Sequence, residues 1–233
     1  MTASPSDTRA AETLAELLAG RFSCRAFRPD PVPTATIERM LTMAQRSASW
    51  CNSQPWQVIV TEPPATDRFR AALLEHVGAT GQPEQPDLPY PLGYFGVYRD
   101  RRRECGWQLY DSVGVKPGDR AASAVQAREN FRLFGAPHVM IITSERDLGV
   151  YGAVDCGLYV GNLMLAAQSL GIATIAQAAL ARCSPFLHSY FDIPDSRSVV
   201  CGISFGYADH THPANGFRTR RADLAEAVTW VRD

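Results

Sequence analysis

Lysine is almost absent from this chain. Lys116 stands alone, and every other one of its 23 cations is arginine. Any anion site must therefore be built from guanidinium groups, backbone N–H groups or helix ends. An excess of one charge is missing too. The 23 basic residues face 24 acidic ones, which disfavours a generally basic nucleic-acid binder. None of the six cysteines (Cys24, Cys51, Cys105, Cys156, Cys183, Cys201) forms a Cys-x-x-Cys pair. The first twenty residues lack a basic region followed by an apolar one, the mark of a signal peptide. Free thiols and a cytoplasmic location are the expectation. No apolar run reaches the length expected of a membrane span. Neither G-x-G-x-x-G nor G-x-x-x-x-G-K-[ST] occurs, so no common phosphate-binding loop is present.

What is present is a globular composition. Hydrophobic residues make up 45% and charged residues 20% of the 233, which excludes disorder for the bulk of the chain. Folding at this size buries roughly 72% of the unfolded surface, enough for a core without staples. Residues 1–7 read as a frayed terminus. Apolar spacing predicts helices over 8–19, 36–46, 64–77, 98–113, 119–133, 151–170 and 184–190. Strands are expected over 56–61, 138–143, from 172 to 175, and 198–207. The order is mixed, so the class is α+β or α/β around one sheet. The stretch 78–96 is rich in proline, glycine and aromatics and reads as a functional loop. Helix 151–170 is apolar nearly all round, which predicts burial on every side, in the middle of a dimer.

Two motifs carry little. Gly202-Ile203-Ser204-Phe205-Gly206 matches the nucleophile elbow of hydrolases, but no helix follows it. A glycine-bearing strand packed closely on its neighbour is the better reading. His210 and His212 have no third metal ligand nearby and read as loop.

Three segments carry weight. Arg21, Ser23 and Arg25 alternate, which suits an extended segment lining one side of an anion. Ser47 to Trp56 packs amides and hydroxyls between a helix and a strand, and amides can read the edge of a heterocycle. Asn215 to Arg221 adds three arginines near the C-terminus.

Together and in this order they resemble the FMN-dependent nitroreductase family, over nearly the whole chain. Arg21-x-Ser23-x-Arg25-x-Phe27 is similar to that family's opening motif. Ser49-x-x-Asn52-x-Gln54-Pro55-Trp56 is similar to its S-x-x-N-x-Q-P-W, in the form of the nitrobenzoate- and nitroarene-reducing branch. Gly135-Ala136-Pro137, Asp155, Leu165 to Gly171 and Phe217-Arg218-Thr219-x-Arg221 complete the match.

The resemblance implies an α+β fold of one domain, 1–233, with a lid at 78–135. It implies a central, mostly antiparallel sheet flanked by helices, and a homodimer that exchanges a C-terminal strand. It implies FMN, with NADPH or NADH as donor and a small aromatic substrate. Nucleic acid and membrane are not expected as partners. Arg21, Ser23 and Arg221 would hold the phosphate and ribityl chain, joined by Phe22 and Arg218, and Arg25 would lie near flavin N1 and O2. Ser49, Asn52 and Gln54 would contact ring or ribityl, flanked by Ala48 and Trp50. Ala176, Gln177, Ala178 and Ala179 would offer backbone N–H groups near N5, with Ala178 the first choice. Asn130 and Arg132 would add polar contacts. No general acid–base pair is required at the donor stage and no catalytic side chain is named, flavin N5 being the reactive centre. The expected chemistry is ping-pong hydride transfer from NAD(P)H to a nitroaromatic or quinone-like acceptor. The alternatives are a flavin-binding protein without reductase activity, or a related reaction such as reductive dehalogenation.

Overall fold

The computed structural model describes residues 5–79 and 85–232. Its centre is a four-stranded sheet of β1 (Gln57–Thr61), β2 (His138–Glu145), β3 (Ala173–Gln177) and β4 (Arg197–Gly206). The strand order is β1-β2-β4-β3, and all three pairings are antiparallel. Alternation along β2 explains why the sheet has two covered faces. Met140 and Ile142 point into a core with Ile37, Met40, Trp56, Tyr159, Leu163, Ile203 and Phe205. Val139 and Ile141 point the other way, into a second core with Phe69, Leu73, Leu133, Leu180 and Leu187.

The first face is covered by α2 (Thr34–Ala44) and α6 (Gly149–Ser169), with α1 (Pro5–Gly20) packed on α6. The second is covered by α3 (Ala65–Gly78), α7 (Ala178–Ala181) and α8 (Ser184–Phe191). Two helices, α4 (Gly96–Ser112) and α5 (Arg120–Arg128), have no buried residue and lie over the clefts described below. A short helix, α9 (Leu224–Ala227), closes the described chain, its start capped reciprocally by Asp223 and Glu226.

The four strands stand within two residues of their expected bounds, and the exceptions are instructive. Helix α1 begins at Pro5, inside the expected frayed terminus, whose residues 1–4 lie outside the described part. So do residues 80–84 of the expected lid. Helix α5 stops at Arg128 instead of running to 133. There Leu133, Phe134 and Gly135 take φ of 56°, 51° and 76°, a left-handed reversal no helix can contain. The expected burial of helix 151–170 on all sides is not met within one chain. Cys156, Tyr159, Leu163 and Ala166 pack on the sheet, while Val150, Tyr151, Val154 and Leu158 stand exposed. Nor does the expectation of no span-length apolar run hold. The helical stretch Arg146–Ser169 is long and apolar enough by length and composition to cross a bilayer. One face of it belongs to the core, which accounts for that apolarity. Gly171, at φ 73°, ends this helix as expected.

The hydrolase-like motif lies inside β4. Ser204 is fully buried and donates to Gln177 Oε1 at 2.5 Å. A Cβ on Gly202 would come within 2.3 Å of Leu180 Cδ1, so the glycine serves close packing. Among the described residues no cluster of metal-ligating groups occurs.

Candidate functional site

Arg21 leaves α1 on a last helical bond, its N–H to the Leu17 carbonyl at 3.1 Å. The chain then runs extended along the outer edge of β3. Ser23 bridges Thr174, and the Cys24 N–H donates to the Thr174 carbonyl at 3.0 Å. Extended backbone alternates its side chains. Cys24 and Ala26 turn inward and are buried, so Arg21, Ser23 and Arg25 share the opposite, half-buried face. Burial pushes the Cys24 thiol up to about 11, which makes it an inert packing group.

That face forms one wall of a cleft of about 340 Å³. Leu18, Phe22, Cys105, Phe217, Arg218, Thr219 and Arg221 supply the rest. Its charge is unbalanced. Arg221 donates only to the Thr219 and Arg220 carbonyls and to Thr219 Oγ1. Arg218 donates to the Asn215 and Phe217 carbonyls and lies 3.9 Å over the Phe22 ring. Arg25 donates to the Ser23 carbonyl, and its own N–H is held by Asn215 Oδ1 at 2.7 Å. Burial, and then the neighbouring Arg221, push the Arg21 guanidinium below its ordinary value. Burial alone does so at Arg25. None of these four arginines has a carboxylate partner among the described residues.

A second cleft, of about 270 Å³, adjoins the first through Arg25. It is lined by Leu109, Tyr110, Gln126, Asn130, Phe134, Ile175 and the run Ala176 to Ala179. Its floor is the corner where β3 becomes α7. Buried Gln177 fixes that corner. Its amide nitrogen donates to the Asn130 carbonyl at 2.9 Å, while its oxygen takes the Ser204 hydroxyl. Ala176 and Ala178 on either side therefore face outward, and the first N–H groups of α7 have no acceptor within their own helix. Helix α7, four residues long, gave no periodic signal in the sequence.

Arg132 lies outside both clefts, paired with Glu129 at 3.6 Å. Tyr110 lines the second cleft, and Trp107 packs edge-on against it. The segment 48–54 also lies away from both clefts. It is a strained loop, with Cys51, Asn52 and Gln54 at φ of 52°, 55° and 46°. Three anchors hold it. The Trp50 N–H and the Ser53 hydroxyl donate to the Asp155 carboxylate, and the Gln54 N–H donates to Ser49 Oγ. Buried Arg197, which no sequence signal singled out, donates to the Pro55 carbonyl at 2.7 Å. Ala48, Asn52 and Gln54 are left exposed beside Trp50, which packs on Tyr151 of α6. One chain thus brings together Arg21, Phe22, Ser23, Arg25, Asn130, Ala176 to Ala179, Arg218 and Arg221. It presents Ala48 to Gln54 elsewhere.

Known proteins are similar to this chain in sequence and fold. The sequence profile of the nitroreductase family matches residues 18–207. Nitroreductase NfnB of Mycolicibacterium smegmatis is 35% identical over 226 residues, 95% of this chain and 94% of that protein. A 4-nitrobenzoate reductase of Nocardioides sp. is 32% identical over 232 residues, 96% of this chain and 92% of that one. The crystal structure of the FMN-dependent nitroreductase NfnB from Mycobacterium smegmatis in complex with NADPH superposes with a TM-score of 0.89, covering 96% of this chain and all of that one.

Proposed function

The chain belongs to the nitroreductase family, and from that premise we propose that it is an FMN-dependent oxidoreductase that uses NAD(P)H to reduce nitroaromatic compounds. The observation that carries the reading is the group of four arginines around one cleft, none neutralised by a carboxylate. In a chain with 24 acidic residues such a group persists at a repulsive cost, and a bound anion removes that cost. The neighbouring cleft continues it with apolar and aromatic walls and outward-facing backbone. A phosphate dianion joined to a flat ring system fits both halves.

Arg21, Arg218 and Arg221 would hold the phosphate, with Ser23 on the ribityl chain. Arg25, which lines both clefts, would place its positive charge near the pyrimidine edge of the ring and stabilise negative charge there. Phe134 and Ile175, which line the second cleft, would support the ring, and the Ala178 N–H would be its candidate donor at N5. Bound FMN would supply the redox chemistry, two-electron transfer between NAD(P)H and the nitro compound, whose reduction also takes up protons from water. Hydride transfer from the nicotinamide needs no acid–base pair, and among the described residues the linings of the two clefts hold no carboxylate. Tyr110 offers a stacking surface to a flat substrate.

The exposed loop 48–54 and the exposed apolar face of α6 complete the reading. In a homodimer they would meet the clefts of the second copy, where Ser49, Asn52 and Gln54 would reach the ring and ribityl. The tail would extend onto the partner.

The test is direct. The purified protein should be yellow, release FMN on denaturation, bleach anaerobically with NADPH or NADH, and regain colour on adding 4-nitrobenzoate. Colour that persists under excess of both donors would reduce the protein to a flavin binder. Colourless protein that gains no flavin from added FMN would reject the reading outright.

A further inference from the structure

Residues 85–90 cross α7 and α8 as a strap, sewn down at four places. The Gln85 N–H donates to the Arg182 carbonyl at 3.0 Å, and the Asp87 N–H donates to Ser184 Oγ at 3.2 Å. The Asp87 carboxylate collects three more donors. His188 Nε2 and the Val199 N–H each reach Oδ2 at 2.8 Å, and Arg146 Nη2 reaches Oδ1 at 3.4 Å. Three residues on, the Tyr90 hydroxyl donates to the Ala178 carbonyl at 2.6 Å.

The root of the strap is therefore a charged clasp. The Asp87 and His188 side chains are only 14% and 15% exposed, so water competes poorly for them. Burial pushes the Asp87 carboxyl up, but the Val199 N–H, His188 and Arg146 outweigh it and hold it below the ordinary carboxylate range. The imidazole is itself fixed, with Nδ1 3.0 Å from the Ile193 carbonyl. One clasp joins the strap to three separate elements, α8, β4 and the turn after β2. Three residues of chain span at most about 10 Å, so a pinned Asp87 keeps Tyr90 within reach of the carbonyl of Ala178, a residue that lines the second cleft.

The geometry points to Asp87 as a positioning residue for the proposed reaction. By pinning the strap to α8 and β4 it holds Tyr90 on the Ala178 carbonyl, and so sets the width of the slot that admits a flat nitroaromatic. The inference rests on the function proposed above. Asp87 touches neither cleft, and it acts only through Tyr90.

The test compares Asp87→Ala, Asp87→Asn and His188→Gln with wild type, using NADPH and 4-nitrobenzoate. Losing a charge-assisted clasp should raise KM for 4-nitrobenzoate about tenfold in Asp87→Ala and leave kcat within about twofold. Asp87→Asn keeps an acceptor for the Val199 N–H and should recover part of the loss, and His188→Gln should fall between. FMN retention should not change, because the arginine cleft is untouched. Amide exchange over 85–90 should quicken in step with KM. Unchanged KM with retained FMN would overturn the inference. Equal falls in kcat and flavin content would do the same, showing damage to the fold. The exchange measurement needs no flavin. A wild type that holds no FMN would reject the proposed function, and the clasp would still stand or fall on exchange at 85–90.

Discussion

Arg221 has three acceptors, all neutral oxygens of residues 219 and 220. They fix the direction of the guanidinium without satisfying its charge. Burial, and then the nearby Arg221 charge, push the Arg21 guanidinium below its ordinary value. Replacing Arg221 by Ala should therefore relieve repulsion in the empty protein and weaken the hold on FMN. A charge-assisted bond to phosphate is worth about 1.5–3 kcal/mol, which converts to roughly a tenfold to hundredfold rise in the FMN Kd. Equilibrium titration of the apoprotein, with circular dichroism confirming the fold, measures it. A Kd within twofold of wild type would remove Arg221 from the phosphate site. Residues of this kind were legible in the sequence because alternation in an extended segment needs only local geometry. Gln177 was legible by position and not by role. Asp87 and Arg197 gave no signal at all, since partners lying 54 to 142 residues away in sequence are known only once the sheet has formed.

At the scale of elements, two junctions show how polar groups fix what apolar periodicity leaves loose. The loop from Ser49 to Gln54 has three non-glycine residues at positive φ, each costing on the order of 1 kcal/mol or more. Asp155, from the next layer, accepts from Trp50 and Ser53 and holds that conformation. Asp155→Ala leaves the Trp50 N–H without its acceptor and should lower stability by about 1–3 kcal/mol. Calorimetry would record this as a lower Tm, and an unchanged Tm would show that the loop holds its own shape. The second junction is His138, at the head of β2. Its Nε2 accepts the Val32 N–H at 2.8 Å, its Nδ1 faces the Thr61 carbonyl at 3.2 Å, and its ring stacks on Phe205. Only the neutral imidazole can accept at Nε2. Burial accordingly pushes the His138 pKa below the ordinary histidine value. The unfolded chain then binds the proton more readily than the folded one. Stability from this group is complete above about pH 6.5 and declines as the pH falls toward the lowered value. Urea midpoints at pH 7.5 and 5.5 should differ more in wild type than in His138→Gln, and equal differences would reject the assignment. Strand positions could be read from β-branched runs between turn residues. The end of α5 could not, because the reversal at Leu133 and Phe134 is imposed from outside, by bonds such as the Phe27 N–H to the Phe134 carbonyl.

For the whole molecule the question is where the two halves of the proposed site meet. The arginine cleft and the loop 48–54 both have the marks of a binding surface, and one chain holds them apart. Beside the loop, where Trp50 packs on Tyr151, the residues Val150, Tyr151, Val154 and Leu158 leave an apolar face on α6 that a monomer would expose to water. Among the described residues, the ion pairs between the tail and its own α4 are Arg220–Glu104 and Arg101–Glu226, exposed pairs worth little. A second copy would cover the face and carry its own 48–54 loop to the first copy's cleft. Two variants decide the matter jointly. Arg221→Ala damages the cleft, and Asn52→Ala damages the loop. If each site draws both residues from one chain, every site in a mixture of the two variants carries one defect, and no activity returns. If each site draws them from different chains, a mixed dimer holds one site with both defects and one with neither. Co-refolding equal amounts should then restore about a quarter of wild-type activity, because half of the dimers are mixed and half of their sites are intact. Sedimentation supplies the companion measurement, with the holoprotein expected at twice the chain mass of 25.6 kDa. A fully active species at 25.6 kDa, or a mixture no more active than its parents, would sink the shared site.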